Sequence, residues 1–126
     1  MSLVTLGVSD VGRAKRFYRD LGLPLEVDED EVGMFRMEGT WLAVYDAAKL
    51  AEETGKHGGR GAANFSLAHN VPSRGDVDAV LAQAIAAGGE IVTPARDTAW
   101  GGYAGYFSDP EGFLWEIVWN PGIDLT

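Results

Sequence analysis

The chain has 126 residues, 46% of them hydrophobic, and its 19 acidic and 10 basic side chains give a formal net charge of −9. This length is typical of one domain, or of two small halves that share a core, and the composition is that of a globular protein. The excess of negative charge would repel a phosphate backbone, which argues against nucleic-acid binding. The sequence has no cysteine, so disulfides and thiolate metal sites are excluded.

The N-terminal segment MSLVTLGVSD, residues 1–10, has no basic stretch followed by a long apolar run. Nor does the sequence contain a run of about 18 apolar residues, the length that a membrane-spanning helix needs. We therefore expect neither an export signal nor a membrane span, and we expect the chain to be cytoplasmic.

The first half of the chain predicts a strand, a helix and three further strands. The apolar run at residues 3–8 reads as a strand and is followed by a helix cap at Ser9 or Asp10. In VGRAKRFYRDLG the apolar residues recur at helical spacing, and Gly22 supplies the stop signal. Between residues 25 and 46 the runs LEV, GMFRM and TWLAVYD have strand character. The order predicted for this half is βαβββ.

The segment AAKLAEETGKHGGRGA, residues 47–62, separates the two halves. Its first part suits a short helix, and its Gly-rich second part suits a flexible connection. We therefore predict one domain made of a first module at 1–48, a linker at 49–62 and a second module at 63–126.

The second half predicts the same order of elements. ANFSLAHNV reads as a strand, and a helix follows that is capped near Ser73 and stopped at Gly88. EIVTPA, GYAGYFSD and FLWEIVW read as three strands, the last two joined by the turn DPEG at residues 109–112. The sequence thus predicts an α+β fold of two βαβββ modules.

With these elements in place, the chain resembles the vicinal oxygen chelate superfamily, which includes glyoxalase I, bleomycin-resistance proteins, extradiol dioxygenases and fosfomycin-resistance enzymes. The resemblance lies in GVSDVGRAKRFYRDLGLPL at 7–25, in GYFSDPEGFLWEIVW at 105–119 and in the paired modules. It implies the glyoxalase/bleomycin-resistance-type fold, in which both module sheets form a shared cleft. It also implies a homodimer.

In the metal-dependent members of that superfamily, two positions from each module hold the ion as His or Glu. Aligning Gly39 with Gly112, and Val8 with Val71, superposes the two modules and locates those positions here. The four positions located in this way are Leu3, Ala43, Ser66 and Glu116. Only Glu116 is a strong ligand for a divalent ion, whereas a catalytic metal site needs about three protein ligands. We therefore expect no metal and no cofactor.

Two histidines lie outside this set. Strict strand alternation from Ser66 points His69 to the opposite face, where we expect it to be partly buried beneath a helix. A shifted metal site that involves His69 or Glu116 is the alternative. His57 lies in the Gly-rich linker and is expected to be solvated.

Glu116 stands in an apolar, aromatic-rich run and shares its strand face with Leu114 and Val118. A buried carboxylate needs a partner, because burying an unpaired charge is costly. One interpretation is a general base, or an acceptor for a donor group of a ligand. The other is a structural carboxylate that is satisfied by Ser66, Thr5 or a tyrosine hydroxyl.

Aromatic residues recur near the expected cleft. Three glycines in the stretch DTAWGGYAGYF alternate with aromatic rings that suit a flat or cationic organic ligand. The alternative is that the rings fill the core, which we favour for Tyr106. The candidate ligand-binding residues are Ser66, Trp100, Tyr103, Trp41, Tyr45 and Thr5.

Two functions remain open on the sequence. The first is a metal-independent binding protein of the bleomycin-resistance type, whose partner is a small organic molecule, neutral or cationic in view of the negative net charge. The alternative is a glyoxalase-like or other lyase or isomerase that uses Glu116 as a general base or as a ligand of a shifted metal site.

Overall fold

The computed structural model of the chain describes residues 1–55 and 62–126. The chain divides into two compact units, Met1–Arg60 and Gly61–Thr126. In the part of the chain that is described, no helix combines the length and the apolar character needed to cross a membrane.

The first unit follows the predicted order, with one additional helix at its end. Its elements are β1 Leu3–Val8, α1 Val11–Asp20, β2 Leu25–Asp28, β3 Val32–Arg36, β4 Trp41–Asp46 and α2 Ala47–Thr54. Helix α2 is the short helix predicted from AAKLAEET, and it runs into the range predicted as a linker. Residues 56–61, which include His57, lie outside the described residues.

Helix α1 begins and ends where the sequence predicts. The carboxylate of Asp10 accepts a hydrogen bond of 2.9 Å from the backbone N–H of Arg13, which satisfies a donor of the first helical turn. Gly22 follows the helix with a φ of 103°, a conformation that glycine adopts without strain. The buried residues of this helix are Val11, Ala14, Phe17 and Tyr18.

The first sheet has the strand order β1-β4-β3-β2, with β1 parallel to β4. Helix α1 packs on the face that carries Phe35 and Val44, where the rings of Tyr18 and Phe35 meet edge to face at 5.8 Å. The opposite face carries Trp41 and Tyr45, because successive side chains of a strand point to opposite sides. We call this second surface the Trp41 face.

The second unit repeats the order strand, helix and three strands. Its elements are β5 Ala62–Asn70, α3 Arg74–Ala86, β6 Glu90–Asp97, β7 Tyr103–Ser108 and β8 Phe113–Trp119. Ser73 caps α3 by accepting a hydrogen bond of 3.1 Å from the backbone N–H of Asp76, and Gly88 follows the helix with a φ of 112°. Both boundary signals read from the sequence are confirmed.

The second sheet has the strand order β5-β8-β7-β6, which reproduces the topology of the first. Helix α3 packs on β6, β7 and β8. The apolar layer beneath it includes Phe107 and Trp115, whose rings stack with centroids 6.1 Å apart. Gly105 lies directly under the helix, since a Cβ there would come within 2.6 Å of Leu81.

The two sheets share a register as well as a strand order. Thr5 pairs with Ala43 across β1 and β4, and Ala68 pairs with Glu116 across β5 and β8. Ala43 and Glu116 thus occupy corresponding places in their sheets, as the alignment of the modules predicts. The α+β fold of two βαβββ modules is confirmed.

Candidate functional site

The candidate site is the face of the second sheet that is turned away from α3, which we call the Glu116 face. Glu116 lies at its centre and pairs with Ala68 of β5 on one side and with Tyr106 of β7 on the other. Tyr106 in turn pairs with Thr93 of β6. One row of side chains therefore crosses all four strands, with the carboxylate and the phenol in its middle.

Tyr106 donates a hydrogen bond of 2.8 Å from its hydroxyl to Oε2 of Glu116, and both side chains are half-buried. Among the described residues, the other carboxylate oxygen, Oε1, accepts no hydrogen bond. The tyrosine hydroxyl is thus one of the partners that the sequence suggests for Glu116. Besides any packing of its ring, Tyr106 fixes the carboxylate of Glu116 through its hydroxyl.

The protonation state of Tyr106 follows from this contact. The hydrogen bond to Glu116 raises the pKa of Tyr106, burial raises it further, and the nearby charge of Arg96 acts in the opposite direction. The phenol is therefore a neutral donor at neutral pH. It holds one carboxylate oxygen and leaves the other for a further donor.

The Trp41 face of the first sheet carries three of the predicted ligand-binding residues. Thr5 is exposed and adjoins Ala43, whereas Trp41 lies under the guanidinium of Arg36, 4.9 Å from the ring centroid. The hydroxyl of Tyr45 donates a hydrogen bond of 2.6 Å to Glu53 of α2. That hydrogen bond raises the pKa of Tyr45 to about 12. This face therefore combines an aromatic ring with a cation.

Tyr103 lies on the other side of the second sheet from Glu116. Its hydroxyl donates a hydrogen bond of 2.9 Å to Asp78 of α3, and the guanidinium of Arg74 lies 5.2 Å from its ring centroid. The physical reason is strand alternation, since Tyr103 and Tyr106 are three residues apart and point to opposite faces. Tyr103 is a link between β7 and α3, and the structure does not bring it to Glu116.

Trp100 precedes β7 in an exposed loop, with 54% of its surface accessible. Its ring lies over Gly102, where a Cβ would overlap it. The loop is held by the backbone N–H of Gly102, which donates a hydrogen bond of 2.8 Å to the hydroxyl of Thr98. The glycine thus permits the close approach that the sequence indicates for this stretch.

Strand β5 carries Ser66 and His69. Ala68 pairs with Glu116 and His69 pairs with Ile117, so His69 lies on the face opposite Glu116, whereas Ser66 lies in the stretch between Ala62 and Leu67 where the register shifts. Both residues are exposed. The prediction that His69 is partly buried is wrong, because β5 is an edge strand and α3 packs on the three strands beside it.

The metal-ligand positions of the superfamily hold donors that do not fit a divalent ion. Leu3 and Ala43 have no donor atom, Ser66 offers a weak neutral hydroxyl, and one oxygen of Glu116 already accepts from Tyr106. Within residues 1–55 and 62–126, no three His, Cys, Asp or Glu side chains cluster closely enough to hold an ion.

Sequence reasoning missed Arg96, which pairs with Ala104 and so lies on the Glu116 face. Two register shifts between Ile91 and Arg96 place two extra residues in β6, so that Thr93 and Arg96 share one face although they are three residues apart. Pro94 was the available signal, because proline inside a strand run marks an edge strand or a bulge.

Comparison with known proteins places this geometry in a family. The sequence model of the Glyoxalase/Bleomycin resistance protein/Dioxygenase superfamily matches residues 1–117. The chain belongs to this superfamily. A glyoxalase-related enzyme from Fulvimarina pelagi is 33% identical, with a TM-score of 0.91 over 96% of this chain and 88% of that one. No curated protein matches the chain.

Two further solved structures have lower sequence identity to the chain. A protein of unknown function from Agrobacterium tumefaciens str. C58 is 29% identical, with a TM-score of 0.77 over 95% of this chain and 93% of that chain. The lactoylglutathione lyase from Agrobacterium tumefaciens is 20% identical, with a TM-score of 0.75 over 95% of this chain and 92% of that chain. At that identity the likeness concerns the fold alone, so the chemistry has to be argued from this chain's own residues.

Proposed function

We propose that this superfamily member binds a small organic molecule on the Glu116 face without a metal ion. The observation that carries the proposal is the hydrogen bond between Tyr106 and Glu116. It fixes a half-buried carboxylate whose second oxygen has no partner within the described part of the chain. Such an oxygen is suited to accept a hydrogen bond from a hydroxyl or amine group of a ligand.

The surroundings of the pair support a binding role. Leu114 and Val118 flank Glu116 on the same face of β8, and Ala104 pairs with Val118 on the neighbouring strand. Apolar walls around a few convergent polar groups are the usual composition of a small-molecule site. The carboxylate would supply orientation, and the apolar side chains would supply contact area.

A second candidate function is proton abstraction by Glu116. The favouring observation is the same free oxygen, since a general base must reach the proton that it removes and Tyr106 leaves Oε1 available for this. The 33% identical relative from Fulvimarina pelagi is called an enzyme, which makes the test worthwhile. Nuclear magnetic resonance in D2O would detect Glu116-dependent exchange of a carbon-bound proton in any compound that binds.

A homodimer is part of the proposal. Strand β5 is a sheet edge whose residues 62–70 include no Lys, Arg, Asp or Glu, and Phe65 within it is 49% exposed. Covering such an edge with a second chain would pair free backbone groups and bury apolar surface.

A thermal-shift screen of a small-molecule library tests the binding proposal, because a ligand that binds only the folded state raises its stability. Compounds that stabilise the parent should lose most of this effect with Glu116→Gln. Asp78→Asn is the matched control, since Asp78 also accepts from a tyrosine of β7 but lies on the α3 side. Stabilisation that survives Glu116→Gln, or that Asp78→Asn removes equally, would contradict the proposal.

A further inference from the structure

The charge on the Glu116 face includes one arginine, Arg96 of β6. Arg96 pairs with Ala104, which lies two residues from Tyr106 on β7. Its neighbour Asp97 pairs with Tyr103 and forms an ion pair with Arg74 of α3, so Asp97 faces the helix. Arg96 therefore points to the opposite side, the side of Glu116.

A register shift in β6 lies directly before Arg96. Thr93 pairs with Tyr106 and Arg96 pairs with Ala104, so three steps along β6 match two steps along β7. In a regular strand, Thr93 and Arg96 would point to opposite faces; here both share the face of Glu116. Strand bulges of this kind are found beside functional sites, where they redirect a side chain.

Arg96 also has no protein partner in the part of the chain that the structure describes. Within residues 1–55 and 62–126 it forms no ion pair or hydrogen bond, and its side chain is exposed. Four other cations among the described residues form ion pairs with carboxylates, namely Lys15, Arg36, Lys49 and Arg74. A guanidinium presents its N–H donors in a planar fork that matches a carboxylate. An unpaired one beside a candidate site is available to a ligand.

We propose that the ligand of the Glu116 face is an organic acid that also carries a hydroxyl or amine donor. Arg96 binds its carboxylate, and Glu116 accepts the hydrogen bond from its donor. This inference rests on the proposed function and adds the chemical class of the ligand. Arg96 and Glu116 lie two strands apart and two residues apart along the strands, which separates their backbones by roughly 12 Å, and both side chains are long. A molecule the size of one aromatic ring with two short substituents spans the gap between them.

The net charge of −9 led us to expect a neutral or cationic partner. Net charge acts at long range, however, and salt screens it over roughly 8–10 Å. The charge in direct contact with the ligand decides which groups bind, and on this face that charge includes a guanidinium. Arg96 is also close enough to affect the pKa of Tyr106. Its charge lowers this pKa, although Glu116 raises it by more.

The test uses carboxylic acids paired with their primary amides, because each pair differs in charge and hardly in shape. 4-Hydroxyphenylacetate and 4-hydroxyphenylacetamide form the central pair, since they place a phenol donor and the varied group at opposite ends of a ring. Binding is measured calorimetrically to the parent, to Arg96→Gln and to Arg16→Gln. Arg16→Gln is the control, because Arg16 is an exposed residue of α1 and its loss changes the net charge equally.

We expect the parent to bind the acid more tightly than the amide. Arg96→Gln should weaken binding of the acid by about tenfold to a hundredfold, the usual effect of losing a hydrogen bond to a charged group. It should leave binding of the amide unchanged. Arg16→Gln should change the binding of neither the acid nor the amide. Equal binding of acid and amide by the parent, or acid binding that Arg96→Gln does not weaken, would overturn this inference while the binding proposal stands. If none of the acids and amides binds, this inference is overturned. The binding proposal is overturned as well if the library screen finds no compound whose binding depends on Glu116.

Discussion

Tyr103 and Tyr106 lie three residues apart on β7 and donate hydrogen bonds to carboxylates on opposite faces of one sheet. Tyr103 bonds to Asp78 at 2.9 Å on the side of α3, and Tyr106 bonds to Glu116 at 2.8 Å on the other side. The first pair ties a helix to the sheet. The second joins residues of neighbouring strands on the face that we propose binds a ligand.

The first prediction concerns the titration of these two phenols. The carboxylate partner is the main cause that raises the pKa of each tyrosine. Glu116→Gln should therefore lower the pKa of Tyr106 towards the usual value of about 10 and leave the pKa of Tyr103 unchanged. Asp78→Asn should lower the pKa of Tyr103 and leave that of Tyr106 unchanged. Spectrophotometric titration of tyrosinate, with each tyrosine assigned by replacement with Phe, measures this.

The same contact gives a pH dependence of stability with a definite sign. The raised folded-state pKa of Tyr106 means that the folded chain holds this proton more tightly than the unfolded chain. The stabilisation is complete below the pKa of an unfolded tyrosine, about 10, and is lost as pH rises through the folded-state pKa of Tyr106. Glu116→Gln should reduce this loss. The free energy of unfolding is measured by denaturant unfolding at several alkaline pH values. If it falls with pH equally in the parent and in Glu116→Gln, the hydrogen bond is contradicted.

The second prediction concerns metal content. Protein purified without added metal should contain far less than one Zn, Ni, Fe or Mn ion per chain, because Leu3 and Ala43 offer no donor and Ser66 a weak one. Elemental analysis of the parent and of Glu116→Ala measures this. About one ion per chain, lost on Glu116→Ala, would show that the donor set had been misassigned.

Much of the fold could be predicted because its signals are local. The cap at Asp10, the cap at Ser73 and the apolar spacing of α1 each act within a few residues, and the structure confirms them. The repeated strand order then fixed Ala43 and Glu116 as corresponding positions. Alternation along β8 correctly set Glu116 on the face opposite Trp115 and Ile117.

The residues around Glu116 were harder to predict because they depend on neighbouring strands. The partner Tyr106 becomes evident only from the register of β7 and β8. Arg96 was missed because the strand predicted from EIVTPA ends at Ala95, whereas β6 continues to Asp97, and alternation is interrupted at the two register shifts before Arg96. The exposure of His69 depends on which strands α3 covers, which spacing along β5 alone does not reveal.

The third prediction tests the packing of α3 on the second sheet. A Cβ at Gly105 would lie 2.6 Å from Leu81 and 3.0 Å from the backbone nitrogen of Ala95. Gly105→Ala should therefore lower the free energy of unfolding by about 1–3 kcal/mol, the usual cost of overpacking. Gly75→Ala is the control, since its nearest contact would be at 3.8 Å; alanine within helix α3 should leave stability equal or higher. Denaturant unfolding of both variants should separate them, and equal stabilities would argue against this packing.

The fourth prediction concerns assembly. Light scattering at micromolar concentration should give the mass of two chains, because β5 is an edge strand that exposes Phe65 and edge strands are prone to pair with a second chain. Phe65→Lys should shift the equilibrium towards one chain, since it places a charge on that edge. A parent with the mass of a single chain at high micromolar concentration would contradict the dimer.

The last prediction tests the binding site itself, with the two tyrosines of β7 as reporters on opposite faces of the sheet. The measurement is nuclear magnetic resonance of tyrosine-labelled protein, with Tyr103 and Tyr106 assigned by replacement with Phe. A compound that stabilises the parent should shift the ring signals of Tyr106, which contacts Glu116, and leave those of Tyr103, which contacts Asp78. Shifts at Tyr103 with Tyr106 unmoved, or binding that leaves both unmoved, would contradict a site on the Glu116 face.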